Sequence, residues 1–258
     1  MENYDSNYPL NFEGLVLFDA CSIERQRSFF EEFKHLQNPA KIDPAKTEDE
    51  LQYTRELLFP LLSKEVWTIP EVITESEDYL EILNGRLVHF RRGLGRIDRE
   101  TQEKANERIS QLELLSNDTA RVIKILKKKD LTKKFDENQT KRYSNLTEIL
   151  KKSKRAVNEI ARPWRENKYS DEKLVAAAVI ISAQSDVLML SADNHIRSLF
   201  DYLYRHPNNF FYHHVAIHSI KMERTIKYKP RPRFNFGELL PEQYKPQVLQ
   251  SQNFSYNR

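Results

Sequence analysis

The chain has 258 residues and a mass of 30.7 kDa, with 39% hydrophobic and 31% charged residues, which predicts one large domain, or one core domain with an insertion, and much exposed helical surface. No apolar run approaches the ~18 residues of a membrane span, the opening MENYDSNYPLNFEG lacks a basic-then-apolar signal, and the one cysteine, Cys21, suits a reducing compartment, so a cytoplasmic protein is expected. The net charge of +3 conceals a split: residues 1–50 carry 5 Lys+Arg against 11 Asp+Glu, whereas 121–160 carry 13 against 5 and 221–258 carry 8 against 3, so basic faces able to hold a polyanion are expected.

After a leader expected to be disordered, Leu15-Val16-Leu17-Phe18 is an apolar run of strand length that stops at Asp19; an unbroken apolar stretch suits a strand covered on both faces. Ser22 is placed as the cap of a helix reaching Gln37, with Phe29, Phe30 and Phe33 on its buried side. Residues 38–46 read as a loop, and 47–64 as a helix that Pro60 must kink or end. Val66-Trp67-Thr68-Ile69 reads as a second strand, and Pro70 opens a helix continuing over 71–91, where its missing N–H costs nothing. Gly93 and Gly95 break that helix; no glycine pattern of the phosphate-cradling GxxxxGK[ST] or GxGxxG kind exists.

Ile109, Leu112, Leu115, Val122, Ile125 and Leu126 recur at helical spacing between 100 and 129, and a second long helix is expected over 146–161 until Pro163. These two are expected to form an antiparallel helical pair, inserted at 92–167 into a smaller core. That core resumes with Ser170, read as the N-cap of an apolar helix over 171–184. A strand at 187–190, a helix at 194–204 and a strand at 211–220 follow. The order predicts an α/β domain over 14–220, three layers (α/β/α) around a mostly parallel sheet. Residues 221–258, proline-bearing and without period, read as a tail or strap.

In an open parallel sheet, ligands bind beyond the carboxyl ends of the strands. Asp19 and Asp193 each end a strand there, Asp171 and Glu172 open a helix, and Glu75 lies one turn into the helix after the second strand, on the face of Val72 and Tyr79. Each acid alone has a plain structural role: strand-end Asp as turn former, first-turn acid facing the helix dipole, helical Glu in solvent. Asp19, Glu75, Asp171 and Asp193 together at one sheet rim would repel one another unless a cation intervened. With only oxygen donors at hand, that cation is Mg²⁺ or Mn²⁺.

The segments VLFDACSI, IPEVITE and SDEKLVAAAVIISAQSDVLMLSADN together resemble, in order, the four motifs of PIN-domain nucleases: strand–Asp–small residues, Pro–aliphatic–Glu, an Asp opening an Ala-rich helix, and a strand running into Ser/Thr-x-Asp. The resemblance covers residues 14–90 and 168–220. It implies the PIN-like fold and a metal-dependent endoribonuclease, most often acting on single-stranded RNA, with Asp19, Glu75, Asp171 and Asp193 as metal-binding and catalytic acids. Glu71 competes for the second position but follows Pro70 directly, too early for the motif. Ser191 matches the family's supporting hydroxyl, and Asn194 stands after the last acid. Cys21 replaces a more usual polar residue, and the insertion exceeds that of compact members.

An acidic site needs a basic surround to hold RNA. Lys127, Lys128, Lys129, Lys133 and Lys134 of the insertion, and Lys227, Tyr228, Lys229, Arg231 and Arg233 of the tail, are the candidates. His214 and His218, on one strand face about 13 Å apart at strand rise, do not form a zinc pair, and His195 beside Asp193 is placed at a helix start. Three rival readings are a non-cutting PIN-like module that binds RNA or protein, a helical arm over 96–162 that carries a protein or homo-oligomer interface, and a DNA-directed structure-specific nuclease with a related fold. The rivals part on the insertion's apolar stripe: packed on the core it is structural, exposed it is an interface.

Overall fold

The computed structural model describes residues 3–4, 8–23, 36, 38–157, 169–191, 193–205, 215–219 and 224–228. It is a mixed α/β protein whose helices surround a six-stranded, mostly parallel sheet. The strands are β1 (Asn3–Tyr4), β2 (Leu15–Phe18), β3 (Val66–Trp67), β4 (Val187–Ser191), β5 (Val215–Ser219) and β6 (Arg224–Tyr228), in the spatial order β1-β6-β5-β4-β2-β3. β2 runs parallel to β3 (Leu17 opposite Trp67) and to β4 (Leu17 opposite Met189), and β4 parallel to β5. β6 is antiparallel to β5 and to β1.

Every residue of β2 and β4 is buried, and alternation sends them into two different cores. Leu15, Leu17, Val187 and Met189 enter one, with Ala176, Val179 and Leu199; Val16, Phe18, Leu188 and Leu190 enter the other, with Leu58, Leu61 and Leu126. The chain leaves β2 for β3 at one edge and returns to β4 on the other side of β2, so the connections diverge between β2 and β4, and the crevice expected of such a sheet lies beyond their carboxyl ends.

The described helices are α1 (Tyr8–Asn11), α2 (Ala20–Ile23), α3 (Pro44–Tyr53), α4 (Phe59–Leu62), α5 (Pro70–Gly93), α6 (Arg99–Leu126), α7 (Glu137–Val157), α8 (Ser170–Ile181) and α9 (Asn194–Arg205). α3 starts inside the expected loop because Asp43 accepts from the Ala45 N–H (3.0 Å) with Pro44 in the first turn. Pro60 does not end the helix at once: a π segment, Thr54–Leu58, precedes it, and Pro60 sits in the first turn of α4, which runs to Leu62. α6 is capped by Asp98, which accepts from the Thr101 N–H (2.9 Å). α7 starts at 137, earlier than expected, through a reciprocal box in which Gln139 N–H donates to Asp136 Oδ1 (2.7 Å) and Asp136 N–H to Gln139 Oε1 (3.0 Å).

The two long helices of the insertion do not pack chiefly on each other, as the expected pair would. α6 lies antiparallel along α5, with Ser116 bonded to Asn84 (2.7 Å) and Glu113 to Arg91, while α7 lies along α8. Ile109, Leu112 and Leu115 form a third core with Leu83, Leu87 and Phe90, and Leu146 and Leu150 enter the core of α8. The stripe of α6 is thus covered, apart from Ile125, which is partly buried. A helical pair would have required the stripes to face each other; each instead meets a longer apolar surface elsewhere. Two terminal expectations are also corrected. Asn3 and Tyr4, in the leader read as disordered, and residues 224–228, read as tail, are sheet strands paired with one another. The helix expected over 22–37 falls largely outside the described residues, as do 211–214, 229–258, Arg231 and Arg233. Among the described residues, no helix is long and apolar enough to cross a membrane.

Candidate functional site

Asp19 is the first residue past β2, and its backbone is pinned on both sides. Its N–H donates to Leu190 O of β4 (3.2 Å), and its carbonyl accepts from Ser22 N–H (3.0 Å) and Ser22 Oγ (2.6 Å). Ser22 is therefore a buried brace within α2, and the longer helix it is expected to cap falls outside the described residues. The Asp19 carboxylate is buried, and its Oδ2 accepts from Ser191 Oγ (2.8 Å) and from the Cys21 thiol, whose sulfur lies 3.3 Å from Ser191 Oγ. Burial drives the Asp19 pKa up to about 6 from 3.8; the Cys21 and Ser191 hydrogen bonds oppose the rise, and the charges of Asp193 and Glu75 add to it.

Ser191, the last residue of β4, also accepts from the Asp193 N–H (2.9 Å), and Asp193 Oδ1 accepts from the His195 N–H (2.7 Å). Asp193 thus caps α9 while remaining exposed at the crevice mouth. Only the backbone of Asn194 is described, at the first position of α9.

Asp171 and Glu75 approach from the helices. Ser170 is not the cap of α8 but its first residue; the cap is Tyr169, with φ 51° and ψ 36° the one described non-glycine residue in the left-handed region. That turn frees the Ser170 hydroxyl, which donates to Glu75 Oε1 (2.6 Å) and ties the start of α8 to α5. Asp171 follows, its pKa pushed up to about 8 by burial first and then by the charges of Asp19 and Asp193, with His195 pulling the other way. Glu71 is engaged elsewhere, in an ion pair with Lys173, so Glu75 is the acid that α5 brings to the crevice.

Asp19 therefore senses Asp193 and Glu75, and Asp171 senses Asp19 and Asp193, about the carboxyl ends of β2 and β4. Two neighbours carried too little signal to be chosen from sequence. Glu172, a first-turn acid like many others, is fully buried because α8 is apolar on every side, and its Oε1 lies 3.5 Å from His195 Nε2. His195, expected at an open helix start, stands between Glu172 and Asp171 (4.0 Å). His218 is buried, with Nδ1 2.9 Å from its cross-strand partner Thr225 Oγ1, as a core histidine would be.

The donor set suits a hard cation: it offers carboxylate oxygens only, and the charge that adds to burial in raising Asp19 and Asp171 is one a divalent ion would offset. Among the described residues, no three His, Cys, Asp or Glu side chains are spaced to hold one ion between them, so an ion here would keep waters in its shell, as Mg²⁺ commonly does.

The basic segment lies beside β3. Lys127 pairs with Glu77 and Lys133 with Asp130 (3.6 Å); Lys128 is exposed; Lys129 and Lys134 lie against the Trp67 ring. Lys227, on β6 at the far side of the sheet, covers the Tyr8 ring (4.6 Å). No family model matches the chain, and neither a curated protein nor a solved structure matches it.

Proposed function

We propose that the chain is a metal-dependent endoribonuclease with a PIN-like, three-layer α/β/α fold, acting in the cytoplasm on phosphodiester bonds of single-stranded RNA. Asp19, Glu75, Asp171 and Asp193 are its Mg²⁺- or Mn²⁺-binding acids. One observation carries the reading: acids from four separate segments lie about the carboxyl ends of β2 and β4, where burial first and the neighbouring charges second lift Asp19 to about 6 and Asp171 to about 8. Caps and turn formers need no such convergence, and acids so perturbed mark sites of chemistry more often than scaffolds.

A divalent cation held by these acids supplies a bound water of lowered pKa and offsets charge on the attacked phosphate. The chain's own part is orientation. Ser191 and Cys21 fix the direction of the Asp19 carboxylate, Ser170 fixes Glu75, and Asp171 keeps its proton at neutral pH while no cation is present. The buried floor around Asp19 lowers the local dielectric and strengthens each of these interactions.

The test is cleavage of a mixed-sequence single-stranded RNA with Mn²⁺ or Mg²⁺ by the wild type, Asp19→Asn and Asp193→Asn. The amides keep shape and remove charge, so cutting is expected to fall at least a hundredfold in each, on the order of a lost catalytic group. Cutting that survives both substitutions refutes the site. A second reading, a PIN-like module that binds RNA or protein without cutting, is favoured by the spacing of the acids, no three of which are set to share one ion among the described residues. RNA bound but uncut by every variant would select it.

A further inference from the structure

The acids leave one cluster of cations unexplained. Beyond the edge strand β3, the insertion returns to the sheet: Thr68 N–H donates to Lys129 O (2.9 Å), and Leu131 N–H to Thr68 O (2.9 Å). This short ladder sets Lys129 and, one 3₁₀ turn later, Lys134 against the partly buried indole of Trp67, with Nζ atoms 5.7 and 5.4 Å from the ring centroid. Neither ammonium has a carboxylate partner among the described residues, whereas their neighbours Lys127 and Lys133 do. Two like charges gathered on one ring repel each other, and an anion placed between them relieves that repulsion.

Position ties the cluster to the acids. Trp67 enters the same core as Leu17 and Ile69, so it lies on the sheet face toward which Ser191, two residues beyond Met189, also points. Trp67 pairs with Leu17, and Asp19 is two residues further along β2. At strand rise and strand spacing the two Cα atoms are about 8 Å apart. An indole covered by two ammonium groups that have no carboxylate partner among the described residues can take single-stranded nucleic acid: phosphates draw the ammonium groups off the ring, and a base takes their place on it.

We infer that Trp67, Lys129 and Lys134 form a clamp for one nucleotide of a single-stranded RNA, the base on the indole and the flanking phosphates on the two lysines, and that the strand runs from there to the acids. The clamp takes its substrate class from the nuclease reading above. Its position at β3 makes it separable from the metal-binding acids.

The chain has two tryptophans, so in full-length Trp164→Phe the emission reports Trp67 alone. In EDTA, a 12-nucleotide oligouridylate is titrated, with emission for stacking and anisotropy of a labelled copy for binding. Saturable quenching is expected. Lys129→Gln/Lys134→Gln should lower affinity about tenfold or more and reduce the slope of log affinity against log salt by about 1.4, the loss of two single-strand phosphate contacts. Trp67→Ala should weaken binding at least about fivefold. Binding with unchanged Trp67 emission, no binding at all, or quenching indifferent to both lysines would each overturn the clamp. Cleavage by the same proteins in Mn²⁺ is scored separately: cutting without quenching removes the clamp and keeps the nuclease, and quenching without cutting does the reverse.

Discussion

Replacing Asp19 with Asn should make the protein more stable while abolishing the proposed RNA cleavage, and the size of the gain follows from burial. The folded-state pKa of Asp19 is about 6, against 3.8 for the free side chain. Below about pH 4 the acid is protonated whether the chain is folded or not, and it contributes no difference. Between about 4 and 6 the folded chain still holds a proton that the unfolded chain has lost, so stability falls as pH rises through that window. Above 6 both states are ionised, and the fold bears the whole difference, about 3 kcal/mol for a shift of about two units. Asn cannot ionise, and its amide oxygen can still accept from Ser191. Urea unfolding followed by circular dichroism in EDTA should therefore give stabilities at pH 4 that differ by little more than the lost thiol contact. At pH 7.5 the variant should gain up to about 3 kcal/mol, less whatever is lost with the thiol contact, or about 6–10 °C in Tm. Millimolar Mn²⁺ should narrow the gap by binding folded wild type alone. A variant no more stable than wild type at pH 7.5, or a gap that ignores pH, would refute the reasoning.

Glu75→Gln should cut RNA cleavage at least a hundredfold, whereas Glu71→Gln should stay within about twofold, because Glu71 is committed to Lys173; equal losses in the RNA assay would erase the distinction. Cys21→Ala removes one donor to Asp19 and should slow cleavage up to about tenfold, the worth of one hydrogen bond, with Cys21→Ser restoring most of the rate; an inactive Ser variant would assign the thiol more than orientation. Leu112→Ala, in the buried core between α5 and α6, should cost about 2–5 kcal/mol in urea unfolding, and a cost under about 1 kcal/mol would mean that this core is loosely packed.

The parts legible in the sequence are those in which pattern and burial coincide. The runs at 15–18 and 187–190 have no polar residue, so they could only be covered strands, and the acid that ends each had to stand at the sheet rim. The stripe of α6 was legible as a buried face, but periodicity names the face and not the partner, so the choice of α5 over α7 lay in tertiary packing. Pairing of Asn3–Tyr4 with residues 224–228 joins the two ends of the domain, and a two-residue strand carries no period to read. Ser170 was misplaced by one position because Ser favours caps on average, and nothing local announces that Tyr169 takes the left-handed conformation instead. Glu172 stayed hidden because its burial comes from the helix being apolar all round, which a first-turn acid does not reveal.

The insertion is better understood as a condition of the site than as an addition to it. α5 has 24 residues, about 36 Å at helical rise, yet only its first turns, those of Val72, Ile73 and Glu75, meet the sheet cores. The rest would carry Tyr79, Leu83, Leu87 and Phe90 into water, and α6 is what covers them. α7 in turn packs Leu146 and Leu150 against α8, the helix that presents Asp171. The segment joining α6 to α7 adds the ladder at Thr68 that brings Lys129 and Lys134 to Trp67. Two of the four acids thus stand on helices whose outer faces are closed by the insertion, and their spacing from Asp19 is fixed through contacts far from the crevice.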